Sequence, residues 1–179
     1  MVPTDIIYKY YPRNNDLRKI LVSHSFAVAE KALSLAMTHP EMNLDTIFIY
    51  EAAILHDIGI FRTNAPDIYC FGEFPYICHG YLGADLLRKE NLLSHALVCE
   101  RHTGTGLSKR YIIANKLPLP RRDMNPVSLE EQLICFADKF FSKTNLDREK
   151  SVEEIKGNLS KYGINPVRQF EEWCEMFLA

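Results

Sequence analysis

The sequence of 179 residues contains no Cys-x-x-Cys pair, no marked excess of charge of either sign, no internal repeat, no low-complexity tract and no strand-rich region. Each absence removes a class of protein. The five cysteines, Cys70, Cys78, Cys99, Cys135 and Cys174, are odd in number and scattered. That excludes a disulfide framework and a thiolate zinc site, and leaves them as buried free thiols. A formal net charge of -2 provides no broad attraction to DNA, RNA or an anionic membrane. No nucleic-acid polymer is therefore expected as a partner, and an anionic substrate must be met by local positive charge. No apolar stretch approaches the length that spans a bilayer, and residues 1–13 carry Asp5, tyrosines and two prolines in place of a signal core. A cytoplasmic protein without a membrane partner is expected. Nothing in the sequence indicates an oligomeric state.

What is present reads as helix. With 47% hydrophobic and 25% charged residues the composition is that of a globular protein with one core. Leu17, Ile20, Leu21, His24, Val28, Ala32 and Leu35 recur at the three- and four-residue steps of one helix face, with Asn14 or Asn15 placed to cap it. Thr46 to Leu55 is apolar apart from Tyr50 and Glu51, as a helix buried on most sides would be, and Gly59 then lets the chain turn. Residues 61–74 read as an aromatic loop leading to a helix near Tyr76 to Glu90, followed by a shorter one over Ser94 to His102. Residues 103–127 form the longest irregular stretch and include Lys109, Arg110, Lys116, Arg121 and Arg122. Ser128 with Glu131, and Ser151 with Glu154, have the spacing of capping boxes. A last helix is predicted from Asn165-Pro166, turning Phe170, Trp173, Phe177 and Leu178 inward. The expectation is an all-α, single-domain helical bundle over residues 1–179, with a core at roughly 17–142 and C-terminal helices of 151–178 packed on it.

The residues able to do chemistry stand out by their apolar surroundings. Asp138 lies in a helix that is apolar over much of its circumference, where an unpaired carboxylate is strongly unfavourable and calls for an arginine, a lysine or a cation opposite it. His24 occupies the middle of an apolar stripe. His56 and Asp57 end a nearly uncharged helix and can both reach an ion beyond its end. His79 precedes Gly80 and Gly83, and His102 precedes Gly104 and Gly106, so small residues leave room for a ligand beside each. His95 is too far along its helix from His102 to share an ion with it. Imidazole and carboxylate without sulfur suit iron, manganese, cobalt, nickel or zinc in a non-structural role.

The order His24, then His56-Asp57, then Asp138, on separate helices, resembles the HD superfamily of metal-dependent phosphohydrolases, and His56-Asp57-Ile58-Gly59 spells the HDIG form of its motif. His79-Gly80 with Gly83-Ala84, and His102-Thr103 before Gly104, resemble the additional ligands of two-metal HD proteins, including bacterial diadenosine tetraphosphate hydrolases of the HD type. Ala137-Asp138-Lys139 fits the same pattern. The stretch from His79 to Phe140, with Glu100-Arg101-His102 and residues 117–123, looks most like a small HDIG family of bacterial and archaeal proteins. The resemblance covers roughly residues 17–142.

It implies that His24, His56, Asp57 and Asp138 bind one divalent ion, and that Asp57, the expected catalytic residue, bridges to a second ion completed by His79 and His102. Iron or manganese is favoured; zinc, cobalt and nickel are compatible. The implied reaction is attack of a metal-activated hydroxide on a phosphate ester of a nucleotide or another small phosphorylated metabolite. Many two-metal relatives carry a lysine directly after HDIG, where this chain has Ile60. Arg62 is the expected substitute, with Arg101, Lys109, Lys139, Arg121 and Arg122 as further candidates for the phosphate. HD-type mixed-valence di-iron oxygenases share nearly this ligand set and form the alternative, with a non-catalytic nucleotide-binding module as a third reading.

Overall fold

Apolar residues at helical spacing between Leu17 and Leu35 produce the longest element of the protein, whose computed structural model covers Met1–Ala179. Its helices are α1 (Pro3–Tyr10), α2 (Asp16–Thr38), α3 (Thr46–Leu55), α4 (His79–Lys89), α5 (Leu93–Arg101), α6 (Lys109–Ala114), α7 (Leu129–Asp138), α8 (Val152–Leu159) and α9 (Ile164–Phe177). The expected helical fold is present, with one addition. Residues 61–74, read as loop, contain β1 (Thr63–Ala65) and β2 (Cys70–Phe71), and β3 (Phe74–Pro75) completes a small sheet ordered β2-β1-β3. β2 runs antiparallel and β3 parallel to β1. Strands of two or three residues are too short to produce a readable alternation.

Side chains fix where the helices begin. Asn15 accepts from the Arg18 amide at 3.1 Å, so it rather than Asn14 caps α2, and Asp45 does the same for α3 at Phe48. Ser151 and Glu154 form the full reciprocal box at α8. At α7 the box is half made: Ser128 accepts from the Glu131 amide, but the Glu131 carboxylate turns to the Val127 amide and to Arg101. Two short helices, α1 and α6, were not expected. α6 sits within the stretch read as irregular and basic. Ile112 on it, with Cys78, Leu82, Leu119 and Met124, forms a small satellite core that ties residues 103–127 to α4.

The main core runs continuously from Ile7 on α1 to Phe177 on α9. At its centre the Phe136 ring meets Phe140, Phe170 and Phe177 at 5.1, 5.2 and 5.6 Å. α9 thereby closes over α7. Trp173 is also buried there and donates its indole N–H to Gln132. Leu178 departs from expectation: it lies past the end of α9 and is exposed. Cys70, Cys78, Cys99 and Cys135 are buried free thiols, whereas Cys174 is only half-buried. α2 is long and apolar enough by length and composition to cross a membrane, contrary to the expectation that no stretch would be. Here it is an interior helix, its stripe of Leu21, His24, Val28, Ala32 and Ala36 buried and its main neighbours α3 and α7.

Candidate metal centre

Five helices deliver their polar residues to one point. His24 comes from the middle of α2, His56 and Asp57 from the turn that ends α3, Asp138 from the last residue of α7, His79 from the first residue of α4, and His102 from just beyond α5. All six are buried. His24 Nε2 lies 2.9 Å from Asp138 Oδ1 and 3.2 Å from Asp57 Oδ2, and His56 Nε2 lies 3.0 Å from Asp57 Oδ2. On the other side, Asp57 Oδ1 is 3.4 Å from both His79 Nε2 and His102 Nε2. The ligand atoms fall into two groups, His24-His56-Asp57-Asp138 and Asp57-His79-His102, each with its atoms within 4.8 Å of one another. Asp57 belongs to both.

Three of the imidazoles are oriented alike. His56 Nδ1 donates to the Ala53 carbonyl at 2.6 Å, His79 Nδ1 to Tyr76 at 2.7 Å and His102 Nδ1 to Cys99 at 2.7 Å. In each case the acceptor is the carbonyl three residues back, so the helix end itself holds the ring and fixes the proton on Nδ1. On His79 and His102, which stay neutral, Nε2 then presents a bare lone pair inward, and His56 Nε2 faces the same point. The first two face each other at 2.9 Å, an arrangement that repels unless a cation lies between. His56 Nε2 and both Asp57 oxygens are buried without a properly angled hydrogen bond despite their short contacts. Buried acceptors arranged this way are strongly unfavourable unless they share positive charge, which the Lys143 ammonium gives in part to Asp57 and which a divalent ion at either group would supply, so the residues present fit such an ion.

The charges agree. Burial opposes ionisation of Asp57 and Asp138, but Lys143 and His56 beside the first, and Lys139, His24 and His56 beside the second, hold both carboxyls well below the usual range. Burial pushes His79 down to about 3 and lowers His102 as well, which keeps both rings neutral as ligands must be. His56 goes the other way. Burial lowers it, yet Asp57 and Asp138 outweigh that and raise it to about 9.

The family model of the HD domain matches residues 21–142, which include all six residues. The chain belongs to the HD-domain family. The chain is similar to an uncharacterised protein of Methanocaldococcus jannaschii, 32% identical over 148 residues, 79% of this chain and 78% of the other. Two others are named tRNA (cytidine(56)-2'-O)-methyltransferase. The Thermoplasma volcanium protein is 29% identical over 98% of this chain, and the Picrophilus torridus protein 31% identical over 80% of it. The chain spans only 45% and 36% of their lengths. No solved structure matches it.

Around the HD cluster the basic residues sort differently from expectation. Lys139 is at the site: its ammonium donates to Asp138 Oδ2 at 2.7 Å and to the His102 carbonyl. Arg62 is not, because its guanidinium lies over the Phe74 ring at 5.6 Å. Arg101 forms a two-pronged pair with Glu131, and Arg122 pairs with the buried Glu100, so both are spent on structure. Lys109 and Arg121 are exposed and, like those three, line neither of the cavities that open on the cluster. The cation that replaces them is Lys143, whose Nζ is 2.5 Å from Asp57 Oδ2. Lys150 joins it in the wall of the same cavity. The only cue in the sequence was a lysine pair, Lys139 and Lys143, four apart at the end of an apolar helix. Tyr76 was missed too. It stacks on His79 at 4.6 Å, and burial pushes its phenol up to about 12.

The small residues have a different use from the one expected. Gly59 has an ordinary helical φ of -85°, so the turn does not require glycine. A Cβ there would overlap the His79 carbonyl oxygen and the backbone of Gly83. Close approach of the α3 end to the start of α4 is what brings Asp57 within reach of His79. Gly80 and Gly83 likewise make room for Cys99 on α5 and for Gly59, not for a ligand.

Proposed function

We propose that this protein is a metal-dependent phosphohydrolase that cleaves a phosphate ester of a small molecule. The observation that carries the reading is the set of inward Nε2 atoms of His56, His79 and His102 around the two carboxylate oxygens of Asp57, beside a cavity of about 460 Å³ whose wall includes Lys139, Lys143 and Lys150. His24, His56, Asp57 and Asp138 would hold one ion, and Asp57, His79 and His102 a second. Manganese or iron suits such an imidazole and carboxylate set. The ions would supply an acidified water and neutralise charge gathering on the phosphoryl group.

The chain's own residues do the rest. Lys139, Lys143 and Lys150 line the same cavity, bonded there to Asp138, Asp57 and backbone carbonyls, and can turn part of their donor capacity to phosphoryl oxygens. Tyr76 keeps its proton through neutral pH and can donate it as a hydrogen bond at the edge of the cavity. The oxygen of water bonds to phosphorus, the ester P–O bond breaks, the departing alcohol takes a proton, and inorganic phosphate leaves. Residues 1–179 act as one unit in this reading, with residues 151–178 forming one side of the substrate cavity. The partner is a small phosphorylated molecule and not a nucleic-acid polymer. The methyltransferase name of two relatives belongs to chains more than twice as long, of which this chain spans less than half.

The test is metal analysis of protein purified without oxygen, followed by phosphate release from a panel of phosphate esters with manganese or iron(II). Asp57→Asn should keep the helical circular dichroism and lose bound metal, with turnover down by more than about a hundredfold. Unchanged turnover would remove Asp57 from its bridging place. Dioxygen consumption by the iron-loaded protein with no phosphate released would replace the hydrolase with the oxygenase alternative.

A further inference from the structure

Two cavities meet at the cluster, and they differ sharply in charge. The first holds Asp67, Asp138, Lys139, Lys143 and Lys150 in its wall. The second, about 650 Å³, contains no Asp, Glu, Lys or Arg among the 19 residues that line it. Its polar groups are neutral amides, hydroxyls and phenols, notably Tyr111, Asn125, Tyr162, Asn165 and Gln169. The two are adjacent: Tyr76, His79, Thr103, Gly104 and Leu159 line both. Gly104 sits at the junction with φ +62°, and nothing lies within 4 Å of where its Cβ would be, so there is open space beside it where the two cavities adjoin.

We propose, building on the phosphohydrolase reading, that the substrate carries phosphate at one end only, held in the lysine-lined cavity, and an uncharged, hydrogen-bonding aromatic body that fills the second. A phosphate brings close to two negative charges at neutral pH. Placed in the second cavity it would give up part of its water and find no cation in the wall to pair with, an unfavourable exchange for an ion. Phenol faces favour a planar ring by stacking. Primary amides present donor and acceptor together, as the edge of a heteroaromatic ring requires. Molecules phosphorylated at both ends and RNA are disfavoured by the same charge argument. Residues 162–166 and Gln169 of this wall lie beyond the residues 21–142 matched by the family. The metal cluster is thus built by the shared part of the chain and this side of the substrate wall by the part outside it.

The deciding measurement is kcat/KM of the manganese-loaded full chain for one-ended and two-ended probes. The one-ended probes are adenosine 5'-monophosphate and p-nitrophenyl phosphate; the two-ended ones are adenosine 3',5'-bisphosphate and adenosine 2',5'-bisphosphate. At least one of the first pair should exceed both of the second by about tenfold or more. Thr105→Lys, which puts a cation into the neutral cavity, should narrow the gap between the monophosphate and the bisphosphate, a change of ratio that simple loss of folded protein does not produce. Equal or better cleavage of the two-ended probes overturns the inference while leaving the hydrolase intact. If no probe releases phosphate with any metal, both fall together.

Discussion

Lys143 and Asp57 face each other at 2.5 Å with Asp57 completely buried, so the ammonium holds the place on that carboxylate that a divalent ion would also seek. A lysine in this position balances the charge of the metal-free protein and competes with the metal. Lys143→Met keeps most of the side chain and removes the charge. It should bind manganese about tenfold more tightly, equivalent to about 1.4 kcal/mol, when titrated calorimetrically. The metal-free variant should lose about 3–5 kcal/mol of stability, because one partner of a buried pair is left behind. An unchanged manganese affinity would mean that Lys143 and the ion do not share Asp57. Lys143 was also the residue least legible in the sequence. His24, Asp57 and Asp138 could be picked out because a polar side chain in an apolar helix has to be satisfied by something. Lys143 follows the end of α7 in a polar turn, where a lysine is ordinary, and only the fold of that turn aims it inward. Arg62 misled for the converse reason: its place near the motif suggested a phosphate, but the Phe74 ring three-dimensionally beside it takes the guanidinium.

Among the elements, the joint between the end of α3 and the start of α4 decides whether the two halves of the cluster meet. Gly59 is the point of contact, and an added methyl group would strike backbone atoms of α4 that cannot swing aside. Gly59→Ala should therefore destabilise the protein by about 3 kcal/mol or more, as overpacking of a rigid contact does, and should weaken metal binding by prising His79 away from Asp57. Gly157 on α8 is the control, with nothing within 4 Å of its would-be Cβ. Gly157→Ala should stabilise by roughly 0.5–1 kcal/mol through helix propensity alone. Equal effects in urea titrations of the two variants would refute the close-approach argument. The helices that carry the ligands were readable because ten or more residues of apolar periodicity leave little choice of element, as the coincidence of Thr46–Leu55 with α3 illustrates. α1 and α6 were not, since eight and six residues offer barely two turns of pattern. The packing of α6 depends on Leu82 and Met124, far away in sequence.

For the molecule as a whole, the opposed shifts within the cluster should write themselves into stability against pH. His79, pushed by burial down to about 3, and His102, lowered likewise, are depressed below the ordinary histidine value of 6.5. The unfolded chain then takes up protons first as pH falls, so their contribution is present above about 6.5 and is lost toward 3. His56 is raised to about 9 by Asp57 and Asp138 against the effect of burial. Its contribution is complete below about 6.5 and is lost as pH rises through 9. With chelator present, the urea midpoint should accordingly peak near pH 6.5 and decline on both sides. Saturating manganese should raise the whole curve, by about 2.7 kcal/mol at a hundred times Kd. It should also flatten the alkaline limb, because a ligand imidazole must already be neutral and has no proton left to lose. The acid limb should persist and steepen, since protons then compete with the ion for every imidazole in the cluster. A metal-free protein whose stability does not change between pH 6.5 and 9 would show that His56 is not held in its charged form by the two carboxylates, and with that the electrostatic account of how the empty-handed cluster survives burial would fail.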